Sequence, residues 1–232
     1  MEIAKFRSEL VSLTSRELRQ VLQIIKGYSE ILSTKNEKLT SKERDRCFEL
    51  LNKNILRLER FVGSIDELNG INSDNLKLVS ESVNFSDLIE TIFEHHKLML
   101  GIDFEYKIIN GNMKKSFVIV DSERIAKALD NIIQNAIDHT SKTHGKITAK
   151  CDLTDSDMIY ITISDNGAGI AAENIERVLE PFISIPSKFS VGGTGIGLFI
   201  SQMIIKNHNG KISIESDGIG KGTTVRLAIP RS

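Results

Sequence analysis

The sequence predicts an α+β protein in two parts: an antiparallel helical hairpin over residues 1–71, then a two-layer α/β sandwich over residues 72–232. Three observations predict it. Apolar residues recur at spacings of three and four through residues 2–68, the period of a helix. After the polar, turn-prone run Asn72, Ser73, Asp74 and Asn75, β-type runs alternate with helical ones. Two glycine clusters then punctuate the second part, one at Gly167 and Gly169, the other at Gly192, Gly193, Gly195 and Gly197.

Residues 2–33 read as one long helix. Ile3, Phe6, Leu10, Leu13, Val21, Ile24, Tyr28 and Ile31 form its seam, with one position missed near Glu17, and no proline interrupts it. Thr40 reads as an N-cap with Glu43 as its capping-box partner. The second helix carries Cys47, Leu51, Ile55, Leu58, Val62, Ile65 and Leu68 as its apolar line and is expected to end at Asn69 and Gly70. One hairpin cannot bury both seams, whereas two hairpins form a four-helix bundle. A homodimer through residues 1–71 is therefore predicted.

The second part reads as a strand near residues 76–79, a helix over 86–100, strands at 104–109 and 117–120, and a helix over 122–139. Strands follow at 146–153, 158–164, 211–215 and 223–229, with a helix-compatible apolar stretch over 198–205. This mixed order predicts a sheet with helices on one face. Residues 171–194 hold Pro181, Pro186 and many Ser and Gly with little pattern, as a lid or a disordered loop does.

Composition narrows the function classes. The formal net charge is −1, which gives no reason to expect nucleic-acid binding. No apolar run approaches the ~18 residues of a membrane span, so no membrane contact within this chain is expected. The opening MEIAKFRSEL carries charges where a signal peptide needs its apolar core. Cys47 and Cys151 lie far apart without metal-ligand spacing and read as buried, reduced thiols of a cytoplasmic protein.

The chemistry concentrates at the glycine clusters. Asp165 ends the alternating run Ile159, Tyr160, Ile161, Thr162, Ile163, Ser164. A carboxylate at a strand end can accept a hydrogen bond from an exocyclic amine such as that of adenine. Glycine lets backbone N–H groups converge on phosphate oxygens, and the second cluster runs straight into the helical stretch, aiming a helix N-terminus at an anion. Asn131 and Asn135 stand four apart on one face of the 122–139 helix, and an amide oxygen is a suitable hard ligand for Mg²⁺ beside phosphates.

In order, Asn131 to Ala136, Asp165 to Gly169, Glu180-Pro181-Phe182, Gly193 to Leu198, and Gly220 to Thr224 resemble the five nucleotide-binding boxes of two-component sensor histidine kinases, the GHKL type. Residues 1–70 resemble that family's dimerisation and phosphotransfer hairpin. The resemblance implies a phosphoryl-transferring core that binds ATP with Mg²⁺ and meets a response-regulator receiver domain. It implies that Asn135 coordinates Mg²⁺, Asp165 holds the adenine amine, and Gly167, Gly169 and Ile170 shape the adenine pocket. Gly193, Thr194, Gly195, Ile196, Gly197 and Leu198 would meet the phosphates, with Lys188, His139 and Thr223 around the nucleotide. Asp138 departs from the pattern, because a basic residue often sits there. Asn131 stands where the gyrase- and MutL-type ATPases of the wider superfamily place a water-activating Glu. An amide is no general base, which favours phosphoryl transfer over hydrolysis.

The hairpin departs further. Ser15-Arg16-Glu17-Leu18-Arg19-Gln20-Val21-Leu22 resembles the family's acceptor box, Ser-His-Glu-Leu-Arg-Thr-Pro-Leu, with Arg16 at the place of the phospho-accepting His. Glu17 remains to take a proton, but a guanidinium stays protonated and has no lone pair to offer. Autophosphorylation at Arg16 is therefore not expected. The alternatives are an ATP-binding pseudokinase switch, or a phosphatase in which Gln20, one turn from Arg16, orients a water toward a receiver's acyl phosphate.

Overall fold

The computed structural model describes residues 2–34, 38–71, 78–99, 103–110, 117–141, 143–155, 157–185, 187 and 195–231. The chain divides into two compact units, Met1–Glu67 and Leu68–Ser232. The expected boundary at residues 72–75 lies outside the described residues.

The first unit is a helical hairpin of α1 (Glu2–Thr34) and α2 (Ser41–Ile71). The capping box closes as the sequence predicts. Thr40 N–H donates to Glu43 Oε2 at 2.9 Å, and Glu43 N–H donates back to Thr40 Oγ1 at 3.3 Å. These bonds hold the Glu43 carboxyl below its usual range. Two expectations need correction. Helix α2 runs through Asn69 and Gly70 to Ile71, since a glycine weakens a helix without obliging it to stop. The buried stripe of α2 includes Phe61, only 2% exposed, while Val62 is 46% exposed. The other described members of the expected line, Cys47, Leu51, Ile55, Leu58 and Ile65, are half-buried, so Val62 alone departs from it within one chain. Cys47 is only half-buried, unlike Cys151, whose thiol burial pushes up to about 12.

The second unit contains β1 (Glu81–Asn84), α3 (Phe85–Met99), β2 (Asp103–Asn110), β3 (Phe117–Val120), α4 (Ser122–Asp138), β4 (Lys146–Leu153), β5 (Met158–Asp165), α5 (Gly197–Asn207), β6 (Lys211–Glu215) and β7 (Thr223–Pro230). Strands β1 and β3 form a two-stranded antiparallel ribbon. The main sheet has the order β2-β4-β5-β7-β6, antiparallel except for the β2–β4 pair. Of the strand expected near residues 76–79, residues 76–77 lie outside the described residues, and the first described strand starts at Glu81. Residues 78–80 are irregular, because Val79 N–H goes to the Asp121 carboxylate at 3.0 Å instead of to a ladder.

Alternation along the strands explains the layering. Ile147, Ala149 and Cys151 of β4, Ile159, Ile161 and Ile163 of β5, and Leu227 and Ile229 of β7 are all buried. They face the helices, which contribute Phe93, Ile125, Leu129, Ile132, Ile133, Ile200 and Ile204 to the core. Tyr160, pointing to the opposite face, is 44% exposed. Helices α4 and α5 are bolted together by Ser201, whose Oγ lies 3.0 Å from both Ala128 O and Gly197 O and shares its one proton between them. Within the segment expected to lack pattern, the described residues form two 3₁₀ turns, Ala172–Asn174 and Arg177–Leu179.

Candidate nucleotide-binding site

Asp165 is the last residue of β5, at the edge of the core. Gly167 N–H donates to its Oδ1 at 2.8 Å, and Thr223 N–H, opposite it on β7, also donates to the carboxylate. Burial outweighs both donors and raises its pKa to about 6. A carboxylate held out of water by the fold is set up to receive a further donor. Thr140 lies close by. A Cβ on Gly167 would stand 2.3 Å from His139 O, 2.7 Å from Asp165 Oδ1 and 2.8 Å from Thr140 Oγ1, so a glycine is required where these groups converge. Thr140 Oγ1 is buried without a hydrogen-bond partner. Such an orphan is costly unless a ligand or water completes it.

The loop after Asp165 is fastened from beneath by the turn before β7. Gly220 N–H donates to Ala168 O at 2.6 Å, and Ile170 N–H donates to Ser216 Oγ at 2.9 Å. Gly169 lies against the carbonyl of Gly218, and Gly222 against the carbonyl of Asp165. Gly222 combines this contact with φ 75, so only glycine fits there. The glycines of residues 218–222 thus act as the floor of the Asp165 loop.

Helix α4 supplies the opposite wall. Asp121 caps it through Arg124 N–H at 3.1 Å. Asn131 and Asn135 are half-buried on the face away from Ile125, Leu129 and Ile132. Asn131 packs against α5, with its side-chain carbons 3.7 Å from where a Cβ on Gly197 would be. Its Nδ2 is buried and unpartnered. His139 follows the helix, and its Nδ1 meets Ser187 Oγ at 3.1 Å. Burial lowers the His139 pKa, with Asp138 acting in the other direction.

Helix α5 begins beside this wall. Its N-cap is Ile196, which is fully buried and makes no side-chain capping bond. No side chain of the cap competes for the first-turn N–H groups, the usual condition for an anion at a helix start. Gly195 is locked in front of it: φ is 66, and a Cβ would stand 2.6 Å from Phe182 C. Gly197 is different, since a Cβ there meets nothing nearer than 3.7 Å. Leu198 is half-buried in the first turn.

The structure therefore gathers Asn131, His139, Asp165, Gly167, Gly169, Ile170, Gly195, Ile196, Gly197 and Thr223 in one unit, on β5, β7, α4, α5 and their loops. Lys188, Gly193 and Thr194 lie outside the described residues, as does the Glu17 side chain. Arg16 and Gln20 are exposed on α1, in the other unit. Sequence reasoning missed Thr140 and Ser216. Each is a single polar residue in a turn, and only the position of Thr140 just after the asparagine-bearing helix marks it.

A strand-end carboxylate with a glycine floor and an uncapped helix start defines a nucleotide-binding domain. Residues 120–232 match the family described as histidine kinase-, DNA gyrase B-, and HSP90-like ATPase. The chain is 28% identical over 235 residues to Sensor protein SrrB of Staphylococcus aureus, covering 98% of this chain and 38% of that protein. It thus spans 38% of the length of the curated relatives it matches. The catalytic domain of histidine kinase ThkA is 28% identical, with a TM-score of 0.54 over 66% of this chain and 97% of that one. The histidine kinase AdeS of Acinetobacter baumannii shares the fold, with a TM-score of 0.69 and 22% identity over 93% of this chain and 98% of that one. So does ThkA in its complex with response regulator protein TrrA, with a TM-score of 0.75 and 23% identity over 100% of this chain and 64% of that one. Residues 120–232 thus carry the match to that ATPase family, the chain as a whole is similar to two-component histidine kinases, and no described helix is long and apolar enough to cross a membrane.

Proposed function

We propose that this core binds Mg²⁺–ATP for phosphoryl transfer in two-component signalling, as a homodimer through residues 1–71 that meets a response-regulator receiver domain. The observation that carries the reading is the pairing of the desolvated Asp165 carboxylate with the unpartnered Thr140 hydroxyl around Gly167. The residues present fit the group. Asp165 and Thr140 offer an acceptor and a hydroxyl to an adenine edge, and Gly167, Gly169 and Ile170 shape the wall. Asn135 offers an oxygen to Mg²⁺, and Asn131 has a buried amide nitrogen awaiting an acceptor. Gly195 to Leu198 present the α5 N-terminus to phosphates, a site that Lys188, Gly193 and Thr194 would complete. His139 and Thr223 flank it. Bound Mg²⁺–ATP supplies a transferable phosphoryl group. Asn131 has no basic atom with which to activate water, so the site holds the nucleotide for another acceptor.

That acceptor is not the residue at the usual place. Arg16 is exposed on α1, and its guanidinium has no lone pair with which to attack phosphorus. The test compares the unaltered chain with Arg16→His, each incubated with γ-labelled ATP. Acid-labile label is expected on the His variant alone, and label on the unaltered chain overturns the reading of Arg16. Titration with a fluorescent ATP analogue tests nucleotide binding by itself. Failure to bind would leave a structural module.

A second reading has a specific observation behind it. Gln20 is exposed one turn after Arg16, so its amide is available to orient a water toward a receiver's acyl phosphate. Faster decay of a phosphorylated receiver with the chain than with Gln20→Ala supports a phosphatase, and equal decay removes it.

A further inference from the structure

Ser216 stands half-buried in the turn between β6 and β7, where three stretches of chain meet. Its Oγ donates to Gly222 O at 2.7 Å and accepts from Ile170 N–H at 2.9 Å. Gly218 N–H lies farther off, 3.4 Å away, on the remaining lone pair. Gly218 O is also 3.4 Å away, so the proton goes to the nearer Gly222 O. A serine hydroxyl has one proton and two lone pairs, and all three are engaged here.

The bond to Gly222 O acts beyond the atom it touches. That carbonyl and the N–H of Thr223 belong to one peptide unit, planar and trans, so they point in opposite directions. Ser216 holds the carbonyl end, and the N–H end donates to the Asp165 carboxylate. Turning the carbonyl away from Ser216 would turn the N–H away from Asp165. The bond from Ile170 fixes the far end of the loop that Asp165 begins, with Gly169 pressed on the carbonyl of Gly218. One hydroxyl therefore sets both the strand-end carboxylate and the wall at Ile170. Among the described residues its bonds reach neither α4 nor α5.

We propose that Ser216 is a positioning residue for the nucleobase: by holding the Gly222–Thr223 peptide and Ile170 together, it aims Asp165 at the exocyclic amine. This rests on the ATP-binding reading above and deepens it. The base and phosphate halves of the site then come apart in their dependence on Ser216. Adenine affinity needs the hydroxyl, whereas phosphate affinity, which belongs to the α5 N-terminus, does not.

The test titrates adenosine and Mg²⁺–tripolyphosphate separately against a fluorescent ATP analogue bound to the full chain. The proteins are the parent, Ser216→Ala, Ser216→Cys and Ser216→Thr, and thermal melts establish that each is folded. Ser216→Ala should bind adenosine about tenfold more weakly, the size of one lost hydrogen bond, and tripolyphosphate as the parent does. Ser216→Cys fills the same space with a weak donor, should also lose adenosine affinity, and carries the test if the alanine variant does not fold. Ser216→Thr keeps the hydroxyl and should recover most of the adenosine affinity. In ¹H–¹⁵N spectra the Thr223 and Ile170 amide protons should move upfield in the variants that lack the hydroxyl. Unchanged adenosine affinity without the hydroxyl, an equal loss for adenosine and tripolyphosphate, or a threonine variant as weak as alanine overturns the proposal while leaving ATP binding intact. Failure of the parent to bind ATP, adenosine or tripolyphosphate overturns the nucleotide reading itself, and this inference with it.

Discussion

Phe182 and Gly195 meet as two left-handed residues, φ 65 and φ 66, and Phe182 N–H donates to Gly195 O at 2.8 Å. The contact closes a loop of twelve intervening residues and sets the chain down at the start of α5. A left-handed phenylalanine is strained, and such strain collects where a fold must place something accurately.

This contact separates two glycines that look alike in sequence. Gly195→Ala forces a Cβ into the Phe182 and Ile183 backbone and into a conformation that costs about 1–2 kcal/mol by itself. A drop in melting temperature of several degrees is expected. Gly197→Ala meets no atom nearer than 3.7 Å and sits in a helix, so stability should hold or rise slightly. Its cost should appear in ATP affinity, where the methyl intrudes on the α5 N-terminus. Thermal melts with and without Mg²⁺–ATP check both halves.

Asp165 makes stability and binding depend on pH in opposite directions. Its folded pKa, about 6, lies above that of the unfolded chain, so the neutral form is favoured by folding. That stabilisation is complete below about pH 4 and is lost as pH rises through about 6. Asp165→Asn should therefore remove a falling slope between pH 4 and 6 and raise ligand-free stability at pH 7.5 by up to about 2 kcal/mol. An adenine amine needs the ionised carboxylate, so parent affinity should fall about tenfold per pH unit below 6. Adenosine, which has no phosphate to titrate, isolates the effect in a titration series.

Local features were the legible ones. The Thr40–Glu43 box and the loop at Gly167 and Gly169 depend on residues a few positions apart, and the chain builds them where expected. Val79, read as strand, instead gives its N–H to Asp121, forty-two positions away. Thr140 and the carboxylate of Asp165 become neighbours only when α4 packs on the sheet, which no window of sequence displays. On α2, Phe61 and Val62 are both apolar, so periodicity could not settle which of the two faces inward.

The hairpin leaves apolar surface over. Leu22, Phe48, Leu56 and Val62 are each 46–55% exposed in the single chain. A second hairpin would cover such residues, as in a four-helix bundle. Phe48→Glu combined with Leu56→Glu is expected to give monomers in light scattering while helix content by circular dichroism stays near that of the parent. A dimer unchanged by both substitutions would place the association elsewhere.

The last prediction concerns how α4 is held at its start. Asp121, 6% exposed, accepts from Arg124 N–H at 3.1 Å and from Val79 N–H at 3.0 Å. Its own N–H donates to Nε2 of His208, 3.0 Å away, and His208 Nδ1 lies 2.9 Å from Ile204 O. Nε2 must therefore be the bare nitrogen, and Nδ1 carries the proton to the carbonyl. One buried residue thus joins the segment before β1, the N-terminus of α4 and the C-terminus of α5. Asp121→Ala removes the cap and leaves Val79 N–H unpaired, at a cost of about 2–3 kcal/mol in urea unfolding. Asp121→Asn keeps an acceptor and should cost less. His208→Leu leaves the Asp121 N–H without a partner and should cost about 1–3 kcal/mol. Because both changes loosen α4, which carries Asn131 and Asn135, ATP affinity should weaken along with stability. Long-range ¹H–¹⁵N spectra should show His208 as the Nδ1–H tautomer, and the opposite tautomer would break the chain of bonds at its centre.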